Sequence, residues 1–370
     1  MQGGDQSKGL EEKRQQVGDQ RKIKVLMVGP DRGVHGGISA VVNNYYDAGL
    51  DQKIGLCYIG TMVEGSKLRK LIKAVQAFTL FSVKLPGYQI VHVNMASDSS
   101  YYRKSFFIRA AKLLGKKIVI HQHGGDFESF YYKEQDDRGR RRIDRVLSMG
   151  DAFLVLAPVW KEFFGHMVSG DKITILPNAI KVPKFAVKEY GQQKILFLGR
   201  LCKEKGIGEL FKIMPELKRK YPKVQLYLGG VWEDESLRIE AEKHKDYITW
   251  LGWVTGEEKR KYLQMCDIFV LPSYFEGQPV SLLEATAYAC AVVASETGGI
   301  SQMIVKDHTG ILISPKDADS LKNGLGRVLS DTELCRRLGE QARRKVSEEF
   351  SIEKNMENLL QIYREVLRLS

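Results

Sequence analysis

Short apolar, β-rich runs alternate with helical stretches along almost the whole chain, and that alternation leaves few folds open. Ile23–Val28, Ile54–Ile59, Ile90–Val93, Ile118–His121, Phe153–Leu156 and Ile173–Leu176 read as strands, with helical spacing over 38–50, 66–85, 99–114 and 137–149. Strands that are apolar throughout, each followed by a helix, indicate a parallel sheet covered on both faces. Residues 177–193 break the rhythm with two prolines, Pro177 and Pro183, and are read as a linker. The rhythm then restarts. Strands are expected at Ile195–Leu198, Val224–Leu228, Ile248–Leu251, Ile268–Leu271 and Ala291–Ala294, with helices over 206–220, 235–245, 256–265 and 280–289. From 317 to 370 the pattern is helical, broken near 330 and 350. The expected organisation is a flexible tail (1–22), a first parallel α/β domain (23–185), a second (186–350), and a terminal helix (351–370) packing back toward the first.

A length of 370 residues with 43% hydrophobic content suits two cores and excludes wholesale disorder. The five cysteines are scattered without a CxxC pair, so neither a disulfide framework nor a zinc site is expected. No run approaches the roughly 18 apolar residues of a membrane span, and residues 1–22 lack the apolar core of a secretory leader. A cytoplasmic location is expected, with peripheral contact at the inner membrane face as a further reading. The net charge of +12 is unevenly placed. Residues 1–185 hold 29 Lys+Arg against 18 Asp+Glu, a net of +11, whereas 186–370 hold 28 against 27, a net of +1. Such asymmetry points to an anionic partner for the first half.

In open α/β sheets ligands sit beyond the carboxyl ends of the strands, so the residues that follow each strand are the candidates for binding and chemistry. Gly29 to Gly37 is glycine-rich and opens a helix, which suits a phosphate but equally describes a turn; the spacing is not GxGxxG. His121 and His123 are expected to face opposite sides of their strand and so not to share a metal. His121 is assigned to the sheet, and His123, beside Gly124 and Gly125, to the ligand side. Arg200 and Lys205 flank a turn before a helix, an arrangement that suits a diphosphate or, alternatively, a solvated basic turn. In the segment Leu271 to Ala285, Glu276 precedes a helix and Glu284 lies among Val280, Leu282, Leu283 and Ala285. A carboxylate there needs a partner, either ribose hydroxyls or a protein group such as a lysine. Asp317-Ala318-Asp319 is read as a helix cap rather than a metal motif.

Taken in order, these residues resemble the retaining glycosyltransferases of family four, with the GT-B fold. The matching pieces are Gly36-Gly37, His123-Gly124, Pro177-Asn178, Gly199-Arg200-Leu201 with Lys205-Gly206, and Leu251-Gly252-Trp253-Val254. The Glu276…Glu284 segment, Gly298-Gly299-Ile300 and Thr309-Gly310-Ile311-Leu312 complete the set, which spans roughly residues 23–350. The chain departs from the family at Ser301-Gln302, where Pro-Glu is usual, and at Ala179, where Gly is usual. The resemblance implies two Rossmann-like domains facing across a cleft, and a nucleotide-sugar donor, UDP-linked by family frequency, with no metal and no other cofactor. It implies that Arg200 and Lys205 neutralise the donor diphosphate, that Glu284 holds the ribose, and that Glu276 binds a donor-sugar hydroxyl. It places Gly36, Gly37, Val254 and the turn Gly277-Gln278-Pro279-Val280 around the donor, and His123 at the reactive face of the sugar. Transfer would retain configuration through same-face attack, with the leaving phosphate oxygen taking the acceptor proton.

The resemblance also implies that the first domain binds the acceptor, a sugar or lipid-linked oligosaccharide. Ser66–Leu85 and Tyr101–Lys117 mix Lys and Arg with apolar residues at helical spacing. Each alone reads as a helix with a core-facing stripe; together with the +11 excess and the tract Arg138–Arg145 they also describe contact with an anionic membrane. The competing readings are a sugar-nucleotide epimerase of the same fold, a silent sugar-nucleotide sensor, and a basic nucleic-acid-binding protein. The chain carries no nucleic-acid-binding motif, so no nucleic-acid partner is expected.

Overall fold

The computed structural model describes residues 22–124, 126–184 and 188–368. The expected tail, apart from Lys22, and the expected domain boundary at 185–186 lie outside the described residues. The first domain runs β1 (Lys24–Gly29), α1 (Gly37–Asp47), α2 (Leu50–Lys53), β2 (Gly55–Gly60), α3 (Lys67–Lys84), β3 (Ile90–Met95), α4 (Asp98–Leu113) and β4 (Lys117–Gln122). It continues with α5 (Phe127–Lys133), α6 (Asp137–Leu147), β5 (Ala152–Val155), α7 (Pro158–Phe164) and β6 (Ile173–Ile175). The second domain runs β7 (Lys194–Leu198), α8 (Ile207–Lys220), β8 (Gln225–Gly229), α9 (Glu235–Glu242), β9 (Ile248–Gly252), α10 (Gly256–Met265) and β10 (Ile268–Leu271). It ends with α11 (Val280–Ala287), β11 (Ala291–Ser295), α12 (Ile300–Met303), β12 (Ile311–Ile313), α13 (Ala318–Ser330), α14 (Thr332–Glu349) and α15 (Ile352–Arg368).

Each domain builds one six-stranded sheet, in the orders β2-β1-β3-β4-β5-β6 and β12-β11-β10-β7-β8-β9, with every pairing parallel. The apolar runs form the central strands because helices cover both faces: Val25, Leu26, Val91, Ile118, Leu154, Ile195, Leu226, Phe269 and Val292 are wholly buried. The short elements α5, α7 and β12 carry too few residues for a clear period and were not anticipated. Asp317 caps α13 by accepting from Ser320 N at 2.9 Å.

The helix α15 lies against the first domain. Tyr363 Oη is 2.8 Å from His92 Nδ1 in β3, and Asn355 Oδ1 accepts from Tyr45 Oη in α1 at 2.7 Å. Asn355 Nδ2 donates to Pro177 O.

Two expectations change. The rings of His121 and His123 lie 4.0 Å apart, centroid to centroid, on the same side of the strand. Side chains alternate along a strand, so residues two apart share a face. The helices α3 and α4 also differ from one another. In α4 the stripe is core-facing, with Tyr101, Phe107, Ile108 and Ala111 buried. In α3 only Ala77 and Phe81 of 18 residues are buried, so a core-facing stripe is wrong for that helix.

Candidate active site

Loops at the carboxyl ends of both sheets enclose two adjoining cavities, of about 250 and 330 Å³. Gly37, Arg200, Lys205, Glu276, Pro279 and Val280 line both. The first cavity adds Gly36, Val254 and Glu284. The second adds His123, Gly277 and Gln278. Every residue singled out from the sequence for donor binding or chemistry therefore reaches one of these two spaces.

In the first cavity the backbone itself is exposed. A Cβ added at Gly36 or Gly37 would meet nothing within 4 Å. No neighbouring protein atom demands glycine there, yet two glycines leave the first turn of α1 bare, with no side chain capping it. Free N–H groups at a helix start, carrying the positive end of the helix dipole, attract an anion. Opposite, Arg200 follows β7 and Lys205 ends the turn before α8, another uncapped helix start. Arg200 Nη1 pairs with Glu233 at 3.0 Å and is half-exposed. Lys205 Nζ lies 2.5 Å from Glu276 Oε1, and Ser273 Oγ donates to the same oxygen at 2.8 Å.

Glu276 is held by a close backbone approach. A Cβ on Gly298 would lie 1.8 Å from Glu276 O, and one on Gly299 2.1 Å from Gly277 O, while Gly299 N donates to Gly277 O at 2.9 Å. The pair Gly298-Gly299 therefore supports the Glu276 turn from beneath. Glu284, one helical turn into α11, has found a lysine: Lys259 Nζ is 2.5 Å away. At the rim, the His35 ring lies against Trp253 with centroids 4.3 Å apart, joining the two domains.

The second cavity is defined by amide groups and an imidazole. Asn94 Nδ2 donates to Val28 O, which turns Oδ1 toward His123 Nε2 at 2.9 Å. His123 therefore carries its proton on Nε2 and presents a bare Nδ1. Desolvation pushes this imidazole down to about 3, so it is neutral at physiological pH. Gln278 and Asn178 clamp the linker to the second domain: Gln278 Oε1 accepts from Asn178 N, and Gln278 O accepts from Asn178 Nδ2 at 2.8 Å. Among the described residues, His123 Nδ1, Asn178 Oδ1 and Gln278 Nε2 are buried without a hydrogen-bond partner. Buried polar atoms are seldom left so, and these three belong to residues that line one space. A ligand rich in hydroxyls would satisfy both the donor and the acceptors.

Sequence reasoning did not assign roles to His35, Asn178, Lys259 or Ser273. Asn178 sits in the Pro177-Asn178 piece of the resemblance and His35 beside Gly36, so position could have marked both. Lys259 and Ser273 carry no local signal, because their importance comes from carboxylates on other elements.

The glycosyl transferases group 1 model matches residues 181–345. An uncharacterized glycosyltransferase of Methanocaldococcus jannaschii is 30% identical over 213 residues, 52% of this chain and 54% of the relative. The aligned region thus spans about half the length of the first curated relatives. The Escherichia coli UDP-Gal:alpha-D-GlcNAc-diphosphoundecaprenol alpha-1,3-galactosyltransferase is 26% identical over 342 residues, 85% of this chain and 84% of that one. Among solved structures, sucrose-phosphate synthase from Thermosynechococcus elongatus superposes with a TM-score of 0.76 at 21% identity, over 94% of this chain and 100% of that chain. The chain has the GT-B fold, and its residues 181–345 match the glycosyl transferases group 1 family.

Proposed function

We propose that the protein is a retaining, family-four glycosyltransferase that moves a sugar from a UDP-linked donor to a lipid-linked sugar or oligosaccharide acceptor. One observation carries the reading: two adjoining cavities meet at Lys205 and Glu276, one lined by cations and bare helix starts, the other by unpartnered polar atoms. The first suits a nucleoside diphosphate and the second a sugar. The name of the Escherichia coli relative, which joins a UDP donor to a diphosphoundecaprenol acceptor, supports the same pairing.

On this reading Arg200, Lys205 and the starts of α1 and α8 hold the diphosphate. Their charge counters the negative charge that grows on the leaving phosphate oxygen, so the reaction calls on no metal. Glu284 exchanges Lys259 for the ribose hydroxyls, and Glu276 holds a donor-sugar hydroxyl. The bond from the anomeric carbon to the phosphate oxygen breaks and a bond to the acceptor oxygen forms on the same face. The acceptor proton passes to the departing phosphate. His123, neutral, accepts a hydrogen bond from the sugar through Nδ1.

The helix α3 supports peripheral contact with an anionic membrane at the cytoplasmic face. Leu68, Leu71, Val75 and Val83 are each at least 60% exposed, and the helix carries five Lys or Arg and no acidic residue. An exposed apolar face flanked by cations suits an anionic interface. No helix among the described residues is long and apolar enough to cross a membrane.

A thermal-shift series with UDP, GDP and ADP, followed by their sugar derivatives, tests the donor. A ligand at a hundred times its Kd adds roughly 2.7 kcal/mol. A shift with UDP, larger with one UDP-sugar, is expected; no shift with any nucleotide overturns the reading. Co-sedimentation with phosphatidylglycerol vesicles tests the membrane face, and no binding at low salt overturns that part.

A further inference from the structure

Behind the exposed face of α3, between it and α4, runs a groove of about 380 Å³. Its walls are Val75 and Phe78 from α3 and Phe106 and Phe107 from α4. Phe78 meets Phe107 edge-on at 5.5 Å, so the aromatic wall is continuous. Thr61 lines the groove too, but its hydroxyl donates to Gly29 O at 2.8 Å and accepts from the buried Lys104 Nζ. That polar atom is already committed within the protein.

One charge interrupts these walls. Arg103 lines the groove, its Nε is buried without a hydrogen-bond partner, and no carboxylate lies within ion-pair distance of it among the described residues. The residue is only partly exposed and burial lowers its pKa, so its guanidinium is partly desolvated without a counterion, and an anion in the groove would offset that cost. An apolar trough with one unpaired cation is complementary to an amphiphile with a phosphate head and a hydrocarbon chain. Position agrees with this. The residue preceding α4, Ser97, lines the second cavity. At about 1.5 Å rise per residue, Arg103 stands roughly 9 Å further along the helix, which leaves room for a sugar between an anion at Arg103 and the cavity.

We propose that this groove binds the lipid-phosphate anchor of the acceptor, with the phosphate at Arg103 and the first part of the hydrocarbon chain against Val75, Phe78 and Phe106. The proposal rests on the transferase reading above. The rest of the chain would pass along the exposed face of α3 to the bilayer, so groove and membrane face adjoin and share Val75.

Farnesyl phosphate below its micelle concentration, without detergent, is the probe. Calorimetry with the full chain is expected to show saturable binding, and a diazirine-bearing analogue to label peptides of α3 and α4. Val75→Asp and Phe106→Asp, both at exposed positions that tolerate polarity, are expected to weaken binding at least tenfold. Arg103→Gln is expected to weaken farnesyl phosphate at least fivefold and to leave farnesol unchanged. Lys67→Glu with Lys70→Glu is expected to abolish sedimentation with phosphatidylglycerol vesicles while farnesyl phosphate binding persists. Labelling spread over the surface, wild-type affinity in Phe106→Asp, dimerisation through this face without lipid binding, or equal loss of vesicle and farnesyl phosphate binding in the lysine variant would each overturn the groove. The UDP shift of the same variants is read in parallel. A groove that fails while UDP still binds overturns only the lipid site, whereas loss of every nucleotide shift in the wild type overturns the transferase reading instead.

Discussion

Lys205 and Glu276, 71 residues apart in sequence, place Nζ and Oε1 2.5 Å from each other where the two cavities meet. Both side chains are largely buried, at 18% and 10% exposure. The pair keeps a cation and a carboxylate desolvated and aimed before any ligand arrives, and a diphosphate on one side and a sugar hydroxyl on the other would draw on the two separately.

Lys205→Ala and Glu276→Ala are each expected to lower sugar transfer by about two or more orders of magnitude in a folded protein, because charge stabilisation or orientation is lost. Each single variant leaves the other charge poorly compensated and lowers stability; the double variant recovers part of that stability and none of the activity. Steady-state kinetics beside urea unfolding checks both halves. Near-normal turnover in folded Glu276→Ala would remove that residue from the site.

The Lys259–Glu284 contact occupies the place proposed for ribose. Glu284→Ala is expected to weaken the nucleoside diphosphate by about tenfold or more, the effect of a lost charge-assisted hydrogen bond. Lys259→Ala frees the carboxylate and is expected to leave nucleotide affinity within a few-fold of wild type. Isothermal calorimetry with UDP distinguishes them, and equal losses in both variants would contradict the ribose assignment.

His92, His121 and His123 stack through the first sheet, with His92 and His121 rings 5.4 Å apart and Tyr363 against His92. Burial depresses all three below the ordinary imidazole value, His92 and His123 to about 3. Each stays neutral in the fold and takes up a proton on unfolding once the pH is below about 6.5. Their contribution to stability is therefore present above that pH and is lost as pH falls from 6.5 toward 3, at about 1.4 kcal/mol per pH unit for each. The unfolding free energy is expected to fall steeply between pH 6.5 and 5, and His121→Leu to make that slope shallower. An identical slope in the variant would place the proton uptake elsewhere.

The hydrogen bond between Tyr363 Oη and His92 Nδ1, 2.8 Å and buried, is one of the ties between α15 and the first domain. Tyr363→Phe leaves the imidazole nitrogen unpaired and is expected to cost about 1–3 kcal/mol. Because replacing both partners by apolar groups removes the orphan, Tyr363→Phe with His92→Leu is expected to cost less than the sum of the two single changes. A double-mutant cycle in guanidinium unfolding measures the difference, and strict additivity would show that the contact contributes nothing.

The longer elements and their order were legible in the sequence, because strand and helix periodicities are set by near neighbours along the chain; short elements such as α5, α7 and β12 were not. So were the strand ends that carry Gly36, His123, Arg200, Lys205 and Glu276, since a parallel α/β pattern directs every such end to the same edge of its sheet. What depends on partners distant in sequence was not. The sequence left two partners open for Glu284, ribose or a lysine; the tertiary fold brought Lys259 of α10 beside it. Nor could local pattern show that Asn178 would close on Gln278, 100 residues away, or that Gly298 and Gly299 would lie under Glu276. The helices α3 and α4 make the point most directly. Their sequences mix basic and apolar residues in the same way, yet α4 buries its stripe and α3 exposes most of its own. Periodicity determines which residues share a face, but only the presence or absence of a packed neighbour decides whether that face meets protein or solvent.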